Sequence, residues 1–246
     1  MYNLALSVFG SLVVFALFLL SGLVPTVGAI FPALVALIGG YIVLARRSGK
    51  QLEALVGSAH KELQARRPEK AIEILQAGFP LARWQFLVAS QLHGQIGTLL
   101  YVQKKFDDAE PHLKKAWQKI WPAKAMLAAQ HYRRKEWPQM EEVFESAVGA
   151  NKGEALLYAV YAWCEDKRGE KKKALEVLQR GAAEIKGDER LKTLLSRAQN
   201  DKRMKMDAFG EQWWQFWLES PPMMQQGGFG GGGFGVRGTF GGRRGR

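Results

Sequence analysis

"KKFDDAEPHLKKAW" (Lys104–Trp117) decides the fold. Phe106 is followed by Ala109, Leu113 and Ala116, at intervals of three and four residues. That spacing puts all four side chains on one face of an α-helix, in a fixed small–large–small order. The order recurs. "WPQMEEVFESA" carries Trp137, Met140, Phe144 and Ala147, "KKKALEVLQRG" carries Ala174, Leu178 and Gly181, and "PEKAIEILQAG" carries Ala71, Leu75 and Gly78. The anchors Ala71, Ala109, Met140 and Ala174 lie 38, 31 and 34 residues apart. A period near 34 residues marks stacked helix pairs, because one pair alone cannot bury its apolar face.

The pattern resembles the tetratricopeptide repeat, a helix–turn–helix unit, over about residues 52–186. The second helix of each copy matches better than the first. First-helix positions hold His93, Ile96, Gly97 and Leu100 in the second copy and Tyr158, Tyr161, Ala162 and Glu165 in the fourth. Pro122, beside Trp121, stands near the proline that often closes a repeat of this family. The resemblance implies an all-α fold, a solenoid of about four degenerate helix pairs across residues 51–206. The charged amphipathic stretch Asp188–Met204 would cap it.

The resemblance also implies a protein partner, bound on a concave face lined by first helices. Equivalent positions here are Gln91, Gln95, Thr98 and Tyr101, then Met126, Ala129, Tyr132 and Arg133, then Leu156, Val160 and Trp163. The Lys/Arg/Asn clamp with which one variety of the family holds a C-terminal carboxylate is absent. An apolar and aromatic face of this kind suits an apolar or amphipathic helix.

Residues 1–45 contain no acidic, basic or histidine side chain. Two apolar runs, each about 20 residues and long enough to cross a membrane, flank a turn at Gly22 and Pro25. Residues 1–50 therefore read as a transmembrane helical hairpin, about 4–22 and 27–45, with a basic flank at Arg46, Arg47 and Lys50. By the excess of cations on cytoplasmic flanks, the repeats and both termini are expected in the cytoplasm. A cleaved leader is the competing reading, with Val27–Ala29 as the cleavage site. The uncharged start "MYN" and the apolar run beyond that site oppose it.

The formal net charge is +12. The basic flank supplies three charges and the tail four, leaving +5 on residues 51–220. No nucleic-acid groove is needed to explain that balance. Residues 207–222 read as a Trp-rich amphipathic helix, with Phe209, Trp213, Trp214, Phe216 and Trp217 as an aromatic motif. Three fates fit it: packing back on the repeats, lying at the membrane interface, or docking to another protein. Residues 223–246 read as a disordered Gly/Phe/Arg tail. It resembles RNA-binding arginine–glycine segments, and its cations would serve anionic lipid equally.

Catalytic chemistry finds no foothold. His60, His93, His112 and His131 are scattered without metal spacing, and no phosphate loop or nucleophile elbow is present. Cys164 is the only cysteine, which reads as a small buried hydrophobe. No cofactor, metal, small-molecule substrate or enzymatic activity is expected. The leading expectation is a membrane-anchored scaffold that binds a protein through the repeat groove. The alternative is a membrane-tethered nucleic-acid- or anionic-lipid-binding protein acting through its tail.

Overall fold

A computed structural model of the protein describes residues 2–22, 25–85 and 87–220. Among the described residues there are eleven α-helices and no strand. The tail, and with it every expectation for residues 223–246, lies outside them.

Helices α1 (Tyr2–Leu20) and α2 (Thr26–Gln64) lie against each other. Gly22 turns the chain at φ 64° and Pro25 caps α2. Small and hydroxyl side chains bring the two close. Ala29 and Ala33 are buried between them, and the Ser11 hydroxyl donates to the Ala33 carbonyl at 2.7 Å. At the open end of the hairpin, the Asn3 amide donates to Ser48 Oγ at 2.9 Å, which sets the start of α1 level with residue 48. Both helices are long and apolar enough to cross a membrane. Their outer faces are large bare hydrophobes such as Phe9, Leu17, Phe31 and Val43.

The second helix does not stop near residue 45. It runs unbroken through the boundary expected at residue 50. No proline falls between Arg46 and Arg67, and strong helix formers such as Gln51, Leu52, Glu53 and Ala54 continue the apolar span. Its last turns pack on α3 (Pro68–Ala77).

The remaining chain forms α4 (Val88–Val102), α5 (Phe106–Lys115), α6 (Trp121–Arg133), α7 (Trp137–Ala150), α8 (Ala155–Arg168), α9 (Lys171–Glu184) and α10 (Glu189–Gln199). The pairs α4/α5, α6/α7 and α8/α9 pack within themselves, while α4, α6, α8 and α10 touch in series.

One turn recurs along this row. Arg66, Lys104, Lys135, Gly169 and Asp201 all have positive φ, each just after a helix. At every one of them the next N–H reaches back five residues: Arg67 to Glu62, Lys105 to Leu100, Glu136 to His131, Glu170 to Glu165 and Lys202 to Arg197, all at 2.9–3.0 Å. This is the left-handed helix stop that satisfies a dangling carbonyl. The first four turns stand five residues before Ala71, Ala109, Met140 and Ala174, so the backbone repeats with the sequence anchors. The fifth stands five before Met206.

The anchors are buried, and so are Leu75, Leu113, Phe144 and Leu178 four residues on. Small residues three further along are compulsory where helices cross closely. A Cβ at Gly181 would stand 2.8 Å from Tyr158 Cγ. Cys164 is fully buried in the main core, and burial pushes its thiol pKa up.

Candidate functional site

The C-terminal aromatic segment sits on the ends of the helices that come first in each pair. Residues 207–220 do not form the single amphipathic helix expected of them. They make a 3₁₀ turn (Asp207–Phe209) and a one-turn helix, α11 (Glu211–Trp214). Gly210 separates these at φ 58°, ψ −142°, where a right-handed helix cannot continue.

Ring contacts seat the segment. Trp213 meets Trp163 of α8 edge to face, with centroids 5.2 Å apart. Trp163 in turn meets Tyr132 of α6 at 5.7 Å. The Arg190 guanidinium of α10 lies over Phe209, and Lys104 Nζ lies 4.0 Å over the Trp217 ring. Trp213, Trp214 and Phe216 are buried, each worth roughly 2–3 kcal/mol of apolar burial.

Main-chain groups are read as well. The Tyr101 hydroxyl donates to the Phe216 carbonyl at 2.8 Å. Arg133 Nη2 donates to the carbonyls of Phe216 and Trp217, both at 2.8 Å. Trp217 Nε1 donates to the Val102 carbonyl at 3.2 Å. Burial pushes the Tyr101 phenol pKa up, so the hydroxyl stays a donor. Arg203 closes the far end on Glu219 at 2.7 Å.

Of the expected groove residues, Tyr101, Arg133 and Trp163 touch the segment directly, and Tyr132 supports Trp163. Met126, Ala129, Leu156 and Val160 are core. Gln91, Gln95 and Thr98 are half-buried on α4, where Thr98 Oγ1 donates to the Gly94 carbonyl. No hydrogen bond or ring contact among the described residues joins these three to the segment. Sequence reasoning missed Val102, Lys104 and Arg190. Lys104 carried one signal, since it stands just past the C-cap of α4, where a cation suits the helix end.

The seat is imperfect. Trp163 Nε1, Trp213 Nε1 and Gln215 Oε1 are buried without a hydrogen-bond partner among the described residues. Each such group costs about 1–3 kcal/mol. Trp217 also holds φ 53°, a strained conformation for a bulky residue. Large apolar gain therefore coexists with specific polar and backbone cost.

Two other clusters carry titratable groups. His93 Nδ1 and His112 Nδ1 lie 3.0 Å apart between α4 and α5. Burial lowers both pKa values, and Lys115 lowers them further. Glu165 is fully buried beside Arg168, and burial raises its carboxyl to about 7. Among the described residues no group of three or more His, Cys, Asp or Glu side chains is placed to hold a metal ion. No protein family, curated protein or solved structure matches the chain in comparison.

Proposed function

We propose that this chain is a membrane-anchored adaptor, with a tetratricopeptide-like solenoid fixed to a bilayer by the α1/α2 hairpin. The solenoid reading is supported by the five recurring left-handed turns and by the helices packed in pairs. The proposed side of the membrane is the cytoplasm, for the repeats and both termini, on the strength of Arg46, Arg47 and Lys50. The first helices form a peptide-binding surface that the chain's own aromatic segment occupies. A partner binds by presenting a Trp- or Phe-rich segment that replaces it.

One observation carries this reading. Residues 213–217 are held as a peptide ligand is held, by aromatic pockets for side chains and by Tyr101 and Arg133 for main-chain carbonyls. The unpartnered indoles and the strained Trp217 make the occupant replaceable rather than a sealed core.

The test uses the full chain in detergent and a fluorescent peptide of residues 207–220. A Trp213→Ala, Phe216→Ala double variant empties the seat. It should bind the peptide with wild-type helix content by circular dichroism, and the intact chain should bind it at least tenfold more weakly. A helical, cooperatively melting variant that ignores the peptide would sink the proposal. Equal binding by both proteins would also sink it, by placing the peptide elsewhere.

A further inference from the structure

The open end of the hairpin carries a second surface. Val43 and the aliphatic stems of Arg46, Arg47 and Lys50 line one open, almost wholly apolar cleft of about 310 Å³ on α2, with the charged ends of the three side chains at its rim. Their spacing of three and four residues puts them on one helix face. Ser48, between them in sequence, is turned away and buried against Asn3. Arg134, Arg168 and Arg180 elsewhere in the chain each meet a carboxylate. Among the described residues Arg46, Arg47 and Lys50 have no such partner, and no acidic residue precedes Glu53.

The cleft sits where apolar surface gives way to charge. Val43 is 66% exposed, and the bare side chains of Ile42 and Val35 lie below Arg46 on one helix stripe. At the same level, Tyr2 and Trp84 meet edge to face at 5.4 Å, and the Asn3 N–H donates to the Trp84 carbonyl at 3.3 Å. Beyond the hairpin Trp84 is the only exposed large apolar side chain among the described residues. Tyrosine and tryptophan favour the headgroup level of a bilayer.

We infer that Arg46, Arg47 and Lys50 hold the phosphate of an anionic phospholipid at the rim of this cleft, while its acyl end lies in the apolar cleft and along the bare helix surface below. This rests on reading the hairpin as membrane-spanning. Three cations in one cluster, none ion-paired among the described residues and with Glu53 one turn beyond them, recognise a net negative headgroup over a zwitterionic one. The contiguous apolar face distinguishes a lipid from free phosphate, which has nothing to place there. The Tyr2–Trp84 pair, at the same level on the other side of α2, fixes the depth of the cleft in the headgroup layer.

The experiment purifies the full chain from detergent containing equal phosphatidylcholine and phosphatidylglycerol, and measures the retained lipids by mass spectrometry. The wild-type chain should retain phosphatidylglycerol in excess. An Arg46→Gln, Arg47→Gln, Lys50→Gln variant should lose that excess by roughly tenfold or more. A charge-matched Lys172→Gln, Lys186→Gln, Lys202→Gln variant should keep it. Inorganic phosphate should displace no more lipid than chloride at equal ionic strength. The inference falls if the first variant keeps its excess, if the control loses it equally, or if phosphate alone strips the lipid. Carbonate extraction of each protein from membranes separates the two readings. Release of the wild-type chain removes the membrane reading and the lipid site together. Retention of the first variant with its lipid excess lost supports the site on its own.

Discussion

Trp163 and Trp213 meet edge to face at 5.2 Å, fifty residues apart in the chain. Trp163 belongs to the helical row, Trp213 to the segment that closes it. Behind Trp163 the rings continue through Tyr132 to Trp137, at 5.7 and 5.8 Å. The segment is thereby joined to α8 through rings, which continue to α6 and α7, and to α4 and α6 also through its carbonyls.

Arg133 is the polar hold on that segment. Arg133→Met keeps the aliphatic bulk and takes two bonds from the carbonyls of Phe216 and Trp217. It should cost about 2–3 kcal/mol of segment docking. Trypsin should then cut at Lys202 or Lys205 several-fold faster while the core stays intact. An unchanged cleavage rate would mean that Tyr101 and the rings hold the segment unaided.

The left-handed turns can be tuned. Lys135 holds φ 60° and makes no ring contact with the aromatic segment. Lys135→Gly should stabilise the chain by about 0.5–1 kcal/mol by relieving the Cβ clash. Gly169→Ala should cost about 1 kcal/mol. Lys104→Gly should gain less than Lys135→Gly, because its ammonium leaves the Trp217 ring. Thermal melts of the three variants give the order, and equal shifts at Lys104 and Lys135 would remove the cation–ring contribution.

Close helix crossing makes a second ordered comparison. A Cβ on Gly97 would stand 2.9 Å from Leu113 Cδ2 and 3.0 Å from the Leu113 nitrogen. Backbone cannot step aside, so Gly97→Ala should cost about 1–3 kcal/mol. Gly149 lies in α7 with nothing near its missing Cβ. Gly149→Ala should therefore stabilise by about 0.5–1 kcal/mol through helix propensity. Denaturant midpoints that move in the same direction would contradict the packing of α4 on α5.

The His93–His112 pair makes stability depend on pH. Both folded pKa values lie below the ordinary 6.5, so the unfolded chain binds protons more readily than the folded one. Stability is retained above pH 6.5 and falls as pH drops from there toward the folded values. Glu165, raised to about 7, works in the opposite direction over the same range, so the pair is read from the difference between proteins: lowering the pH from 7.5 to 5.5 should cost the wild-type chain more melting temperature than it costs His112→Gln. An equal change with pH in both proteins would assign the dependence to other groups.

The second helices were legible because each carries a complete apolar stripe within about ten residues, as α5 does with Ala109 and Leu113. The first helices were not. Every residue of α6 from Ala123 to His131 is buried, and every residue of α8 from Ala155 to Glu165. A helix buried all round has no stripe, so no face of it can be singled out from sequence. That is why Met126, Ala129, Leu156 and Val160 read as groove and lie in the core. Four of the five left-handed turns are held by Arg, Lys or Asp, and no glycine marks them. The landing of the aromatic segment depends on contacts more than eighty residues apart, between Tyr101 or Arg133 and Phe216, which no local period records.

Helix α2 is continuous from the hairpin turn to the first packed pair, a rod of 39 residues and about 58 Å. With the hairpin in a bilayer, such a rod acts as a lever with no joint at the membrane surface. A change of about 10° in its tilt sweeps the far end through about 10 Å, and the whole helical row moves with it. Tilt follows the thickness of the surrounding lipid. Thinner and thicker membranes would therefore carry the Tyr101–Arg133–Trp163 surface, with the segment seated on it, to different heights and headings, and bilayer thickness would act on the helical row as a mechanical input.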